Sequence, residues 1–224
     1  MSRSSAIIHS QIDLGATVRI MTKAVFLDRD GVINQKSKEG EYVTSWGEFR
    51  ILPGVAEGIA LLNRAGYAVI VVTNQRCIAK GLVTVADLEK MHERMSDSLS
   101  RAGAKLDGIY YCPHDYESSC NCRKPAPGML LDAARSRRIN LQLSWMVGDS
   151  ETDVEAGRNA GCKTARLLVT NGSGDATGHT PDRLSAPDIF ATSLLDAVRK
   201  ILVREGLKTV EYVRNRVKKR KSNR

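Results

Sequence analysis

The sequence predicts an α/β fold, a three-layer sandwich in which helices cover both faces of a mainly parallel sheet. Short apolar runs, of the kind that buried parallel strands use, alternate along the chain with longer segments of helical periodicity. At this spacing the alternation predicts right-handed βαβ units and therefore a parallel sheet. Since 224 residues are enough for one sizeable core, we predict a single globular domain over 21–203.

The first half of the chain begins the predicted sheet. A buried strand at 24–27 is followed by a polar connection over 34–50, which is long enough to form a flap. A helix follows over 53–66, between an opening Pro-Gly pair and a closing glycine. The second predicted strand covers 67–72 and ends in polar residues.

The second half of the chain continues the alternation. Thr84 is the expected N-cap of a helix over 85–101, with Asp87 three residues on. The later predicted elements are strands at 106–111, 145–147 and 164–169, helices at 127–137, 151–160 and near 193–203, and a glycine-rich loop at 171–178.

The two ends of the chain are predicted to be appendages of this domain. Residues 1–20 lack a clean periodicity and are expected to be a poorly ordered extension. Residues 204–224 form a basic tail, with nine Lys or Arg against two acids, so most of the net charge of +9 lies there. Such an amphipathic basic segment could contact a membrane surface or nucleic acid. A solvated helix end is the more common structure, so a nucleic-acid partner is not expected.

Composition predicts a cytoplasmic protein, which we expect to be a monomer. No stretch approaches the roughly twenty apolar residues that cross a membrane. The first residues lack the apolar block of a signal peptide. Five cysteines in such a chain indicate metal binding or catalysis rather than disulfides.

An acidic turn follows the first predicted strand and is the feature around which the chain is organised. Asp28 and Asp30 stand directly after the apolar run, and Gly31 lets the chain turn away. Two carboxylates so close repel each other, and each raises the pKa of the other unless a cation lies between them. Mg²⁺ prefers such oxygen ligands. On their own, these residues are more typical of a solvated turn.

Polar residues at the ends of other predicted strands favour the catalytic interpretation. Thr73 and Asn74 follow the second strand, Arg123-Lys124 follows the third, and Asp149 follows the fourth. In open α/β sheets the carboxyl ends of the strands are where ligands bind. This set suits phosphoryl transfer through an aspartyl phosphate: a carboxylate attacks phosphorus, a second carboxyl moves protons, and a hydroxyl and a lysine hold the phosphoryl oxygens. Mg²⁺ would let the two anions meet.

At these residues the chain resembles the haloacid dehalogenase superfamily of phosphatases. Longer runs resemble its heptose-1,7-bisphosphate 7-phosphatases and histidinol-phosphate phosphatases: Phe-Leu-Asp-Arg-Asp-Gly, Thr-Asn-Gln, Tyr-Tyr-Cys-Pro-His and Cys-x-Cys-Arg-Lys-Pro-x-Pro-Gly-Met-Leu. The resemblance covers 23–200. The four superfamily motifs match, in order, at Asp28-x-Asp30, Thr73, Lys124 and Asp149-x-x-x-Asp153.

The resemblance implies a role for each matching residue. Asp28 would be the nucleophile and Asp30 the general acid and base. Thr73 and Lys124 would hold the transferring phosphoryl group. Mg²⁺ would bind the Asp28 carboxylate, the backbone carbonyl of Asp30, and Asp149.

The resemblance also implies a Rossmann-like sandwich whose cap consists of loops alone, and a phosphorylated sugar as substrate. Two departures from the family pattern lie where substrate would touch. Arg76-Cys77 replaces a small Ser-Gly pair, and Ser150 stands where lysine is frequent. These departures leave the reaction intact and leave the identity of the leaving group open. The implied substrate contacts are Asn34, Tyr42, Asn74, Gln75, Arg76, Arg123 and Ser150.

A loop of cysteines and one histidine precedes Arg123-Lys124. Four ligands within eleven residues suit tetrahedral Zn²⁺ in a closed structural site. Chance clustering around a satisfied histidine is the alternative, since this spacing is not the commonest for zinc. The loop matches the zinc loop of the heptose phosphatases, where it would fix the Arg-Lys pair. The predicted ligands are Cys112, His114, Cys120 and Cys122.

Two classes of function follow from these patterns. The first is a magnesium-dependent phosphomonoesterase. The resemblance implies that it removes the 7-phosphate of D-glycero-D-manno-heptose 1,7-bisphosphate, with histidinol phosphate and a polynucleotide 3′-phosphate as alternative substrates. The second is a phosphate- or nucleic-acid-binding module that has kept the fold. An attacking carboxylate has no use in a binding module, so the residues at the strand ends favour the enzyme.

Overall fold

A computed structural model of the protein describes residues 22–38, 40–168 and 186–207. Across this part of the chain, parallel strands form one sheet in the order β3-β2-β1-β4-β5-β6. The predicted parallel sheet is therefore confirmed. The strands are β1 (Ala24–Leu27), β2 (Ala68–Asn74), β3 (Gly108–Cys112), β4 (Trp145–Gly148), β5 (Lys163–Leu167) and β6 (Ile189–Ala191).

Helices connect the strands, as the sequence periodicity predicts. Thr84 caps the second helix, because its Oγ1 accepts a hydrogen bond from the backbone N–H of Asp87 at 3.1 Å. A short 3-10 turn at Leu141–Leu143 precedes β4. The helices are α1 (Val55–Arg64), α2 (Val85–Arg101), α3 (Gly128–Arg137), α4 (Glu151–Asn159) and α5 (Leu194–Arg204).

The core lies on both faces of the sheet, which makes the fold a three-layer sandwich. Alternate residues of β1 point to opposite faces, and the whole strand is buried. Val25 and Leu27 belong to the core beneath α1, α2 and α5, whereas Ala24 and Phe26 pack with α3 and α4. The predicted layer architecture is confirmed.

The boundaries of several elements differ from the prediction. β2 continues to Asn74, past the last apolar residue, because Thr73 and Asn74 pair with Tyr111 and Cys112 of β3. The three-residue edge strand β6 was not predicted, since so short a run has no usable periodicity. The predicted extension at 1–20, the end of the predicted strand at 169, the loop at 171–178 and the tail beyond 207 lie outside the described residues.

The connection between β1 and α1 packs against the body of the domain. Its described residues, 34–38 and 40–50, form no helix and no extended strand. Val43 and Phe49 are buried, and the Trp46 ring stacks on the Phe49 ring with centroids 5.1 Å apart. The described part of this connection is therefore a loop, as expected for a cap that consists of loops alone.

The end of α5 is joined to the amino edge of the sheet. The carboxylate of Glu205 accepts hydrogen bonds from Trp145 Nε1 at 3.1 Å and from Lys163 Nζ at 2.6 Å. Trp145 and Lys163 are the first residues of β4 and β5, so this contact lies at the edge opposite the strand ends that carry polar residues. None of the helices in the described residues is long and apolar enough to cross a membrane.

Candidate active site

The register of the parallel strands brings the polar strand ends to one edge. Leu27, the last residue of β1, pairs with Val71 of β2 and with Val147 of β4. The backbone N–H of Asp28 then donates to the carbonyl of Val147 at 2.9 Å, which continues the pairing one residue beyond the strand. Side chains that follow β1, β2 and β4 therefore meet at the carboxyl edge, where α/β folds bind ligands.

A buried ammonium group joins two of the predicted carboxylates. Lys124 Nζ lies 2.7 Å from Asp28 Oδ1 and 2.6 Å from Asp153 Oδ1, and it donates to the carbonyl of Val72 at 2.9 Å. Burial lowers the pKa of Lys124, but the two carboxylates outweigh burial and hold this pKa above its ordinary value. Lys124 is therefore a fixed positive charge at the end of the sheet.

Asn74 holds the backbone of Lys124 in place. Its Nδ2 donates to the carbonyl of Lys124 at 3.1 Å, and its Oδ1 accepts from the N–H of Lys124 at 3.0 Å. Both polar atoms of the Asn74 amide are committed to one peptide residue. The end of β2 thereby determines where the lysine of the following loop lies.

Asp28 is a carboxylate whose ionisation the fold opposes. Burial is the largest cause that raises the pKa of Asp28; Lys124 opposes it and the neighbouring Asp153, Asp149 and Asp30 add to it, so that the pKa lies at about 7. A cation bound among these carboxylates would favour the ionised form of Asp28. The repulsion among these carboxylates therefore favours the binding of a metal ion.

Asp30 belongs to a different set of contacts. Its carboxylate accepts two hydrogen bonds at 2.9 Å from Nη2 of Arg29, one at 2.9 Å from Asn34 Nδ2 and one at 2.9 Å from Gln75 Nε2. Burial raises the pKa of Asp30, but Arg29, Asn34 and Gln75 outweigh burial and hold it below its ordinary value. Gln75 Nε2 also donates to Thr73 Oγ1 at 2.8 Å.

Arg29 is a fully buried cation whose position depends on α2. Its Nη1 lies 3.2 Å from Nε2 of His92, on the inward face of that helix. Burial and the neighbouring Arg29 lower the pKa of His92 to about 3, so the imidazole is neutral and accepts from the guanidinium. Arg29 thus connects Asp30 to a side chain 62 residues away in sequence from Asp30.

Asp149 approaches the turn after β1 because that turn contains a glycine. A Cβ at Gly31 would lie in severe contact with the carboxylate of Asp149, and Gly31 has φ +91. Lys36 Nζ lies 2.7 Å from Asp149 Oδ2, and burial raises the pKa of Asp149 despite this lysine. An ammonium from the connecting loop thus lies against the carboxylate that the sequence assigns to a metal.

The side chain of Asp153 is fully committed within the site. Its Oδ2 accepts from Ser150 Oγ at 2.6 Å and from the Ser150 N–H at 3.1 Å, while its Oδ1 contacts Lys124. Ser150 is the N-cap of α4. The contact that the structure gives Ser150 is therefore with Asp153, at the start of the helix.

The carboxylates fit a hard divalent cation. One oxygen each of Asp28, Asp149 and Asp153 lies within 4.8 Å of the others. Carboxylate oxygens are the ligands that Mg²⁺ prefers, and it commonly uses one or two of them together with water and phosphate oxygens. Both oxygens of Asp153 are engaged, one by Lys124 and the other by Ser150. Lys124 contacts only Oδ1 of Asp28 and Lys36 contacts only Oδ2 of Asp149, so these two carboxylates each keep a second oxygen for a metal and are the better ligands. Both belong to the magnesium set that the sequence predicts.

The predicted zinc ligands lie together in the loop after β3. Cys112 Sγ is 3.7 Å from Cys120 Sγ and 3.2 Å from Cys122 Sγ, and His114 Nδ1 is 3.5 Å and 3.2 Å from the sulfurs of Cys112 and Cys122. In a tetrahedral zinc site, sulfurs lie about 3.8 Å apart and nitrogen about 3.6 Å from sulfur. No disulfide joins these cysteines. The four donor atoms fit one zinc ion in kind and in spacing.

The residues that the sequence assigns to substrate binding fall into two groups. Asn34 and Gln75 are buried, at 0% and 2% exposure, and their amides hold Asp30. Arg76 and Arg123 are half-buried and both lie over the Tyr116 ring, with guanidinium carbons 4.1 Å and 4.2 Å from its centroid. The ring of Tyr42 lies 5.2 Å from Lys80 Nζ, a residue of the same loop as Arg76.

Several residues of the site were not predicted. Arg29 carried a local signal, since it stands between the two acidic residues. His92 lies in the apolar stripe of α2 with Leu88, Met95 and Leu99, so its spacing indicated burial but not its partner. Lys36 and Tyr116 carried no signal in sequence, because each reaches the site from a loop.

Comparisons with known proteins agree with this geometry. A family model described as HAD-hydrolase-like matches residues 121–197. The D-glycero-β-D-manno-heptose-1,7-bisphosphate 7-phosphatase of Pseudomonas putida is 42% identical over 155 residues, which are 69% of this chain and 86% of that protein. The protein of the same name from Photorhabdus laumondii is 40% identical over 185 residues, covering 80% of this chain and 94% of that protein.

The fold also matches a solved structure of such a phosphatase. The D,D-heptose 1,7-bisphosphate phosphatase of B. bronchiseptica, in complex with magnesium and phosphate, superimposes with a TM-score of 0.73 at 34% identity. The match covers 82% of this chain and 99% of that one. The chain therefore belongs to the family of haloacid dehalogenase-like phosphatases that includes these heptose bisphosphate phosphatases.

Proposed function

We propose that this protein is a magnesium-dependent phosphomonoesterase that removes the 7-phosphate of D-glycero-D-manno-heptose 1,7-bisphosphate. The observation that carries the proposal is the buried contact of 2.7 Å between Lys124 Nζ and Asp28 Oδ1 at the carboxyl edge of the sheet. A positive charge held against a nucleophilic carboxylate suits a reaction in which negative charge gathers at phosphorus. The relatives at about 40% identity act on this sugar by name.

In the first half-reaction, an oxygen of Asp28 attacks phosphorus and the bond from phosphorus to the sugar oxygen breaks. Asp30 gives a proton to that leaving oxygen. Lys124 and the Thr73 hydroxyl neutralise charge on the oxygens of the transferring group. Mg²⁺, held by Asp28 and Asp149, would screen the nucleophile from the phosphate.

In the second half-reaction, water attacks the phosphorus of the aspartyl phosphate and releases inorganic phosphate and the Asp28 carboxylate. Asp30 takes the proton from this water. The contacts of Asp30 with Arg29, Asn34 and Gln75 favour its ionised form, which is the form needed here. Substrate brings further negative charge, which favours the protonated form that the first half-reaction needs.

We assign zinc a structural role in this proposal. The loop with Cys112, His114, Cys120 and Cys122 ends at Arg123, one residue before Lys124. A closed four-ligand zinc site would fix this loop and with it the approach of Lys124 to Asp28. The five free thiols of the chain are consistent with a reducing compartment, so we propose a cytoplasmic location.

The proposal is tested by a phosphatase screen of the full chain with and without Mg²⁺. The substrates are heptose 1,7-bisphosphate, histidinol phosphate and a 3′-phosphorylated oligonucleotide, with released phosphate as the readout. We expect kcat/KM to be highest on the heptose bisphosphate and to require Mg²⁺. Preferential hydrolysis of either other substrate would contradict the assigned substrate and leave the aspartyl-phosphate mechanism in place.

A further inference from the structure

We propose that Tyr116, Asp115 and Arg76 form a clamp that positions Arg123, and that Arg123 alone makes the ionic contact with the part of the substrate that is not transferred. The inference rests on the proposed function, because it concerns the phosphorylated substrate of that same site. It divides two arginines that sequence reasoning grouped together. Arg76 becomes a positioning residue, and Arg123 remains a substrate contact.

The centre of the clamp is an aromatic ring that two guanidinium groups contact. Arg76 lies over the Tyr116 ring at 4.1 Å and Arg123 lies over the same ring at 4.2 Å, measured from each guanidinium carbon to the ring centroid. Tyr116 is 68% exposed, so hydrophobic burial does not account for its position. Cation–π contacts with planar guanidinium groups do account for it.

Arg76 is not available as a free cation. Its Nε lies 2.5 Å from Asp115 Oδ1, and that carboxylate also accepts from the backbone N–H of Tyr116 at 2.6 Å. One carboxylate therefore ties the side chain of Arg76 to the tip of the Cys/His loop. The charge of Arg76 is neutralised by a neighbour that a bound anion would have to displace.

Arg123 is held differently. Its Nη1 donates to the backbone carbonyl of His114 at 3.1 Å, and its plane rests on Tyr116. No carboxylate in the described residues lies within 4.0 Å of its guanidinium nitrogens. Because the charge is uncompensated and the next residue, Lys124, contacts Asp28, Arg123 is the guanidinium placed to meet a second anionic group.

The clamp also joins two loops that zinc cannot join. A zinc ion would fix Cys112, His114, Cys120 and Cys122, but none of these ligands belongs to the loop after β2. Arg76 comes from that loop, directly after Gln75, which holds Asp30. The clamp therefore sets the side chain of Arg123 relative to the proton-transfer residue.

The first experiment compares Arg76→Ser, Asp115→Asn and the double variant in the zinc-loaded full chain. The substrates are heptose 1,7-bisphosphate and p-nitrophenyl phosphate, which has no second anionic group. If the clamp positions Arg123, each single variant raises KM for the bisphosphate about fivefold, with kcat within about twofold. The double variant then matches the singles, and KM for p-nitrophenyl phosphate stays at the wild-type value.

If Arg76 instead contacted the substrate directly, the change in KM for Asp115→Asn would have the opposite sign. Asp115→Asn would release the guanidinium of Arg76 and lower KM for the bisphosphate, while Arg76→Ser would raise it. That result would overturn the division of roles. So would equal losses on both substrates, which would indicate a general structural contact.

The second experiment tests the ring. Tyr116→Leu should raise KM for the bisphosphate about fivefold, whereas Tyr116→Phe, which keeps both ring faces, should restore KM to within about twofold of wild type. Both variants should retain one zinc per chain by elemental analysis. A KM increase accompanied by loss of zinc, or the same increase in Tyr116→Phe, would overturn the clamp.

Hydrolysis and inhibition measurements together distinguish a failure of the proposed function from a failure of the clamp. If wild-type protein hydrolyses p-nitrophenyl phosphate but not the bisphosphate, the proposed function fails. The bisphosphate is then measured as a competitive inhibitor, and the same variants should raise its inhibition constant about fivefold. An inhibition constant unchanged by the variants, or absence of inhibition at millimolar concentration, would overturn the inference as well.

Discussion

Asp28 is a residue whose ionisation lowers the stability of the metal-free fold. Its pKa is about 7, above the ordinary value of 3.8, chiefly because of burial. Because the folded state binds this proton more tightly than the unfolded chain does, the folded protein loses stability as pH rises from 3.8 to about 7. The proposed mechanism requires the same charge for nucleophilic attack, so stability and the proposed function place opposite demands on this residue.

Asp28→Asn should abolish turnover and stabilise the metal-free protein at alkaline pH. An amide cannot attack phosphorus. It also adds no charge to the cluster, so the increase in Tm over wild type should be larger at pH 8 than at pH 5. The measurement is thermal unfolding in magnesium-free buffer without chelator, which leaves zinc bound. Wild-type turnover in this variant, or a larger Tm increase at pH 5, would contradict the assignment.

His92→Leu should destabilise the protein by about 1–3 kcal/mol, because it leaves Nη1 of the buried Arg29 without its acceptor. Turnover should fall as well, since Arg29 holds the carboxylate of Asp30. His92→Gln is the matched control, because its side-chain carbonyl can accept the same hydrogen bond. Urea unfolding and steady-state kinetics measure both effects. Equal stability of the two variants would show that the acceptor is irrelevant.

At the scale of elements, the loop after β3 connects the cluster of Cys112, His114, Cys120 and Cys122 to Lys124. The loop begins at Cys112, the last residue of β3, and reaches Arg123-Lys124 just before α3. Asn74 at the end of β2 fixes the backbone of Lys124 from the other side. Two strands and one loop therefore determine where a single ammonium group lies.

Purified protein should contain one tightly bound zinc per chain, and Cys120→Ser should lose it. We expect this variant to lose about 2 kcal/mol or more of stability and most of its activity, because the segment before Lys124 is no longer fixed. Cys162→Ala is the control, since its buried thiol does not belong to the group of possible metal donors. Elemental analysis and urea unfolding test this. Absence of zinc from the wild type would contradict the proposed site.

At the scale of the whole molecule, the two edges of the sheet carry different groups. The carboxyl edge carries the carboxylates and Lys124, while the amino edge holds the end of α5 through Glu205. The described chain ends at Leu207, just beyond that contact. The last described residue therefore lies close to the edge opposite the candidate active site.

Deletion of residues 208–224 should leave kcat/KM on the heptose bisphosphate within about twofold of the full chain, which is well under 1 kcal/mol. A tail that bound a polyanionic substrate would instead make activity on a 3′-phosphorylated oligonucleotide fall steeply with salt. Assays of both substrates at low and moderate salt distinguish the two cases. A large salt-dependent loss confined to the oligonucleotide would overturn the choice of substrate class.

Much of the fold and the catalytic motifs followed from local sequence. The buried strand at 24–27 and the helix at 85–101 have the predicted bounds, because apolar periodicity and an N-cap act over a few neighbouring residues. Parallel strands align their carboxyl ends, so the meeting of Asp28 with Asp149 followed from topology. The clustering of Cys112, His114, Cys120 and Cys122 was predictable because all four lie within one short loop.

Only the tertiary structure decided how side chains from distant segments pair. His92 lies in the apolar stripe of α2, but the sequence of that helix does not identify Arg29, 63 residues away, as its partner. The family resemblance assigned Asn34 and Gln75 to substrate, whereas packing buries both of them against Asp30. The stack of Arg76 and Arg123 on Tyr116 depends on where two loops meet. Such contacts depend on how all the strands, helices and loops of the domain pack together. Local sequence around each residue does not determine that packing.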